Sequence, residues 1–435
     1  MSTPILKKVF QFLSDYPHPI YLVGGSVRQL LLGKAIKDYD FIVSSGAIEL
    51  ASQLAKHIKA SFFVLDQERD MARVVLKNID LDFACFGQTI ETDLCARDLT
   101  INAIACEVTP DLLDLPIEHW RLYDPCDGKK DLTKRIIRAI SLRNFECDPL
   151  RLLRAYRFAA VLNFQLDQQT ETWINQSKYL IQNIAFERIL QELFLILSTS
   201  NSALVMNEIN KIGLWQILSK QTLSPDCLIS LMHFENMLTR QLDDVSLGYL
   251  EIKSCFSRSN LFVLKLALCF FSADKISDLS SSIENVGHWT LSVKEFKLLD
   301  LWSRCIPQII DLLHTELKLE SVRLFYLFRN TGIDILGAIL IIKVWTLSGQ
   351  LQLNIQQLNL LADIWLDENN PIAHPKQLID GKQLMQELNL KPGPLIGKLL
   401  LSVQEAQACG KLVNSTEALA FAKASVKKLS TNHAQ

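Results

Sequence analysis

The sequence predicts an α+β head of about 140 residues, followed by an extended all-helical remainder. Three observations carry that expectation. Short β-branched and aromatic runs alternate with helical patterns only in the first third of the chain. From about Asp148 onward Leu, Gln, Lys and Ala dominate and strand signals thin out. The 435 residues, 49% hydrophobic and 21% charged, have the composition of an ordinary globular protein. That length suits about two to four domains with sizeable cores.

Taken in order, strands are expected at Tyr21–Val23, Phe41–Val43, Ser61–Leu65, Arg73–Leu76 and Asp80–Phe86. Val27–Gly33 reads as a short helix ended by its glycine. Asp93–Ala105 reads as an apolar, helical run with Arg97, Asp98 and Asn102 as polar islands. Asp148 and Pro149 read as an N-cap and first helical position. They open a helix on which Arg151, Arg154 and Arg157 form a slowly rotating basic stripe while Leu150, Leu153 and Phe158 face inward. Leu261–Phe271 and Ile335–Leu347 are broken by Lys265 and Lys343 and are too short to cross a bilayer, so they read as buried core helices. Joints are expected at Ser198–Ser202, Ser280–Asn285 and Asp367–Pro375.

A net charge of −2 argues against bulk attraction to nucleic acid, so an RNA surface has to be a local patch. Arg121–Ala160 offers one, with ten Lys/Arg against five Asp/Glu, a local excess of +5. Ten cysteines without paired CxxC spacing suggest reduced thiols rather than a disulfide frame or zinc site. With no signal-like N-terminus, a cytoplasmic protein that does not engage a membrane is the expectation.

The chemistry is concentrated near the start. In Gly24-Gly25-Ser26-Val27-Arg28, two glycines let backbone N–H groups approach a polyphosphate, and Arg28 adds a fork of donors. The helix that follows directs its N-terminus at the same place. Asp38 and Asp40 lie two apart on a strand and so share a face. Their mutual repulsion is relieved by a divalent cation, and Mg²⁺ with oxygen ligands is the natural occupant. A third carboxylate is expected from Asp80 or Asp82, with Asp82 preferred. This combination points to nucleotidyl transfer. Asp98 and Asn102, four apart, would share a helix face; that carboxylate can accept from ribose hydroxyls while Arg97 reaches phosphate. Asp148 and Arg151 are expected to act as one donor–acceptor unit. They would suit the amines and ring acceptors of cytosine and adenine, and penalise guanine and uracil by about 1–3 kcal/mol per unpaired group.

Together these residues resemble the class II tRNA nucleotidyltransferase and bacterial poly(A) polymerase superfamily. The resemblance rests on Gly24-Gly25-Ser-Val-Arg28, Asp38-Tyr-Asp40, Arg97-Asp98-Leu-Thr100-Ile-Asn102-Ala, Asp124-Pro-Cys-Asp-Gly128-Lys-Lys-Asp131-Leu and Asp148-Pro-Leu-Arg151. Glu187-Arg188-Ile, Glu192-Leu, Gly381-Lys-Gln-Leu, Pro392-Gly393-Pro-Leu-Ile-Gly397 and Gly410-Lys-Leu extend it along the chain. It implies a DNA polymerase beta-like mixed-sheet head at 1–140, a helical neck at 141–200, a helical body at 201–330 and a helical, tRNA-binding tail at 331–435. It further implies that Asp38 and Asp40 hold Mg²⁺. Gly25, Arg28 and Arg97 would meet the triphosphate, Asp98 the ribose, Asp148 and Arg151 the base, and Arg154 and Arg157 phosphates, with Gly24 and Asn102 as further nucleotide-binding candidates. The reaction would be attack of a tRNA 3′-hydroxyl on CTP or ATP, in the cytoplasm, with no obligate protein partner.

Four departures from the pattern bear on specificity. Gln29, Ala96 and Cys147 stand where the family has Asp, Arg and Glu. Only fourteen residues, Ala84 to Arg97, link the third-carboxylate strand to Arg-Asp, and this short link resembles the CC-adding specialists. Mainly C addition is therefore expected. A poly(A) polymerase and a catalytically silent RNA-binding homologue stay open as alternatives.

Overall fold

A computed structural model describes residues 4–432 apart from 78, 241, 256, 285 and 315–320. Its contacts divide the chain into two units, Met1–Asn201 with Lys211–Leu218, and Ser202–Asn210 with Ser219–Gln435.

The first unit opens with helix α1 (Pro4–Ser14), whose Leu6, Val9, Phe10 and Leu13 recur at helical spacing and are buried. Strands β1 (Tyr21–Val23), β2 (Asp38–Val43), β3 (Ser61–Asp66), β4 (Met71–Leu76), β5 (Ile79–Cys85), β6 (Ala105–Glu107) and β7 (Leu122–Tyr123) form one mixed sheet. Its order is β3-β4-β5-β2-β1-β6-β7. Among the described residues of this sheet only β2 and β5 run parallel, in the register Asp38–Asp80 and Asp40–Asp82. Period-2 alternation then sorts the side chains of both strands. Tyr39, Phe41 and Phe83 make an aromatic layer with Phe10 of α1, Phe41 stacking on Phe83 at 5.2 Å. The four aspartates are left on the opposite face. Helix α2 (Gly25–Leu31) follows β1, and α3 (Ala47–Ile58) follows β2. The three backbone N–H groups of Gly46, Ala47 and Ile48 at the start of α3 donate to the Asp70 carboxylate.

The strands expected in the first ninety residues are all present, β2 and β4 starting earlier than their apolar runs suggest. The Asp93–Ala105 run is not a helix. Helix α4 (Ile90–Cys95) stops two residues before Arg97, a 3₁₀ turn covers Thr100–Asn102, and β6 begins at Ala105. The polar islands are the reason: Asp98 Oδ1 accepts from the Leu99 N–H and the Asn102 amide, which competes with a continuous helical ladder.

The rest of the unit is helical, apart from short β8 (Ile136–Ile137) and β9 (Gln165–Leu166), which pair in parallel. Its helices are α5 (Gly128–Lys134), α6 (Leu142–Cys147), α7 (Leu150–Leu162), α8 (Gln168–Ser177) and α9 (Phe186–Leu197). Gly128 is forced by contact, because a Cβ there would sit 2.1 Å from the Thr100 carbonyl oxygen. Asp131 on α5 accepts from the Thr100 hydroxyl at 2.7 Å, so α5 braces the turn that carries Asn102.

In the second unit α10 (Ser202–Lys211) precedes α11 (Leu214–Ser219), most of which belongs to the first. Then come α12 (Pro225–Arg240), α13 (Asp244–Glu251), α14 (Asn260–Phe270), α15 (Leu279–Glu284), α16 (Val293–Leu313), α17 (Ser321–Thr331) and α18 (Ile335–Leu347). The two apolar runs form α14 and α18 and are buried as expected. By length and composition alone, Ser321–Leu347 could cross a membrane, yet 67% of its most apolar stretch is buried within the protein. Ser280–Asn285, expected as a joint, is instead mostly helix α15, with Asn285 outside the described residues. Helices α19 (Ile355–Leu366), α20 (Gly381–Leu388), α21 (Pro394–Ala408) and α22 (Ser415–Asn432) complete the chain. A core of Leu384, Leu399, Val403, Ala418 and Ala422 joins the last three.

Candidate active site

Gly24 adopts φ +64°, which favours glycine, and a Cβ there would approach the Arg97 guanidinium to 2.7 Å. Arg97 is held over this turn by Asp93 at 3.0 Å. From α2, Arg28 turns inward, bonds to the Asn102 side-chain oxygen and lies over the Phe158 ring at 4.7 Å. Its Nε has no hydrogen-bond partner among the described residues. Burial, partly offset by Asp98, lowers the Arg28 guanidinium to about 10, so it stays cationic at neutral pH.

On the sheet, Ser26 donates to the Asp40 carboxylate at 3.3 Å and accepts from the Asp40 N–H at 2.9 Å. Burial, then the neighbouring Asp82, push the Asp40 carboxyl above its ordinary range. Asp82 is gripped by Arg73 of β4 at 2.6 and 2.8 Å, and the same guanidinium reaches Asp80 at 3.3 Å. Among the described residues no three His, Cys, Asp or Glu side chains make a preformed metal cage. The donor set nevertheless fits a hard divalent ion that uses one or two carboxylates and completes its shell with water and phosphate oxygens. Burial is the main cause that raises Asp40, and the repulsion from Asp82 that adds to it is what such an ion removes.

The helical side is a chain of ion pairs. Arg154 of α7 donates to Asp98 at 2.7 Å, and Arg157 pairs with Glu192 of α9 at 2.7 Å. Phe158 lies beneath Arg28, Arg154 and Arg157 together. Burial raises the Asp98 carboxyl, but Arg154 and the Asn102 amide outweigh it and hold the group below its ordinary value. Asp148 and Arg151 do not pair through their side chains. Asp148 accepts from Arg188 at 3.2 Å, while Arg151 donates to the main-chain oxygens of Ala96 and Asn144 at 2.8 and 3.3 Å. Asp148 lies just before α7 and Arg151 on its first turn, each held by a different partner.

All of this surrounds one cleft of about 600 Å³ within the first unit. Gly24, Gly25, Arg28, Asp40, Asp82, Arg97, Asp98, Asn102, Asp148, Arg151, Arg154 and Arg157 all line it. Asp38 does not; it is exposed at the start of β2, and Asp80 opposite it is likewise outside. Sequence reasoning assigned no site role to Arg188 and Phe158, which line the cleft, or to Arg73 and Glu192, which hold its walls. The signal for Arg188 was present in Glu187-Arg188-Ile, but nothing local tied it to Asp148, forty residues away.

Comparison with known proteins places this cleft in a family. The family model described as "Poly A polymerase head domain" matches residues 20–87 and 82–138. That for tRNA nucleotidyltransferase domain 2 matches 288–422. The CC-adding tRNA nucleotidyltransferase of Synechocystis is 33% identical over 94% of this chain and 94% of its own. The A-adding tRNA nucleotidyltransferase of Deinococcus radiodurans is 28% identical, with 94% of this chain and 96% of its own covered. Among solved structures, the Thermotoga maritima CCA-adding enzyme complexed with tRNA has the same fold, at TM-score 0.71, 22% identity and coverage of 98% and 96%. With the alignment to the Synechocystis enzyme running through the head, the cleft and the helical remainder alike, the chain belongs to the tRNA nucleotidyltransferases.

Proposed function

We propose that this enzyme adds C residues from CTP to the 3′ end of tRNA, without a template and with Mg²⁺, and that it stops at CC. The single observation that carries the transfer reaction is that Asp40, Asp82, Asp148 and Arg151 line one cleft. Asp40, with Asp38 two residues before it on β2 and Asp82 in register beside it, would hold the metal. When bound, Mg²⁺ supplies charge neutralisation on the triphosphate and orientation of the attacking hydroxyl. Gly24, Gly25, Arg28 and Arg97 meet the phosphates, and Asp98 with Asn102 the ribose side. Asp148 and Arg151 read the base edge, and Arg154 and Arg157 add positive charge against phosphate. Preorganisation does the work, since these donors are already fixed before substrate arrives.

Restriction to CC rests on the fourteen residues from Ala84 to Arg97, and the CC-adding name of the Synechocystis relative agrees with it. Incubating the protein with tRNA lacking its 3′ end and with CTP, ATP or both, then sizing the products, tests both claims. Two added residues with CTP, and no third with both nucleotides, is the expected result. Efficient terminal A addition refutes the restriction alone; long A tails on unstructured RNA from ATP alone favour a poly(A) polymerase instead.

A further inference from the structure

Cys95 closes α4, and Cys126 lies in the turn between β7 and α5; their Sγ atoms are 3.6 Å apart. We propose that this pair is a modification site: a peroxide joins Cys95 and Cys126 as a disulfide, which disables the cleft until a thiol reductant reopens it.

The approach is built into the fold. Cys126 packs on an apolar cluster that includes Tyr21, Ile90 and Leu94, the residue before Cys95. Cys95 is exposed to solvent, and Cys126 is half-buried. Other thiols have different partners: Cys85 donates to Asp70, and Cys227 and Cys305 to main-chain oxygens. Cys95 is the solvent-exposed member, while burial, then Cys95 beside it, push the Cys126 thiol up, so Cys95 reacts first. Its thiolate attacks one peroxide oxygen, the O–O bond breaks, and hydroxide leaves a Cys95 sulfenic acid. The Cys126 sulfur then attacks the Cys95 sulfur, the S–O bond breaks, and the departing oxygen takes the Cys126 proton as water. Two thiols lose two electrons and two protons, and one peroxide becomes two waters.

The consequence follows from what hangs on the end of α4. The carbonyls of Cys95 and Arg97 both accept from Asn144, at 2.9 and 2.7 Å, and that of Ala96 from Arg151 at 2.8 Å. Arg97 itself covers the Gly24 turn. A disulfide bond is about 2.05 Å long, so the sulfurs have to close by about 1.5 Å. That movement pulls on Arg97 and on the carbonyls that aim Arg151, and hence on both ends of the nucleotide.

The test treats the full-length protein with hydrogen peroxide, maps its peptides without reduction, and measures CTP kinetics before and after dithiothreitol. The kinetic arm rests on the proposed nucleotidyl transfer, whereas the peptide map does not. A Cys95–Cys126 linked peptide is expected, with the KM for CTP raised about tenfold or more and restored by reductant. Cys95→Ser and Cys126→Ser should each keep the KM of the reduced enzyme under peroxide. Absence of the linked peptide overturns the proposal, as does a linked protein with unchanged kinetics or equal inactivation of both serine variants. A reduced protein that adds no nucleotide at all sinks the functional reading instead, leaving the peptide map to decide this one.

Discussion

Both units bury charge, but they do so differently. In the second, Lys265 donates to Ser202 and Glu235 at 3.1 Å each. Glu235 in turn accepts from the Ser202 N–H and hydroxyl at 2.7 and 2.5 Å. The cluster closes on itself at the start of α10 and faces no cavity described above. In the first unit, Arg28, Asp98, Arg154, Arg157 and Glu192 are equally interlocked but line or border an open cleft. Arg28 keeps a Nε without a hydrogen-bond partner among the described residues there, and burial with Asp82 raises the Asp40 carboxyl more than Arg97 and Ser26 lower it. A closed network holds a fold together; an open one with unmet charge is built for a ligand.

Five substitutions press on that contrast. Asp40→Ala should lower CMP addition by about 10³-fold or more while tRNA binding in a filter assay is retained. Loss of binding in parallel would make Asp40 structural and erase the distinction. Lys265→Met should lower unfolding free energy in urea by about 3–5 kcal/mol, because it strands Glu235 without its cation. Turnover per folded molecule should stay within about twofold.

Arg188→Ala frees Asp148 from its guanidinium partner. The preference for CTP over UTP should fall roughly tenfold, with Arg188→Lys partly restoring it. A uniform fall in rate with unchanged selectivity would assign Arg188 to folding alone. The smallest effect concerns pH. The Asp40 carboxyl is raised in the folded state, so its protonated form is favoured there and stability is lost as pH rises through the folded value. Metal-free Asp40→Asn should therefore melt about 2 °C above the parent at neutral pH, with the gap closing as pH falls toward 4. A gap that widens in acid would reverse the sign of the argument.

Much of the site was legible because short-range rules act on it. Asp38 and Asp40 had to share a strand face, and Gly24 had to permit a turn that any side chain would obstruct. The apolar runs had to be buried, and they are α14 and α18. Where local rules misled, a longer-range contact had won. Asp98 and Asn102 do meet, but through a turn braced by Asp131 rather than along a helix.

The sequence by itself determined the mixed-sheet head, the helical remainder and the family, because periodicity, turn chemistry and motif spacing are properties of neighbours along the chain. Only the tertiary structure decided that Asp40 and Asp82 lie inside the cleft while Asp38 and Asp80 stay outside it. It alone chose Arg188 as the partner of Asp148, and Arg73 as that of Asp82. Such pairings depend on strand register and helix packing, which set distances between segments that no local pattern encodes.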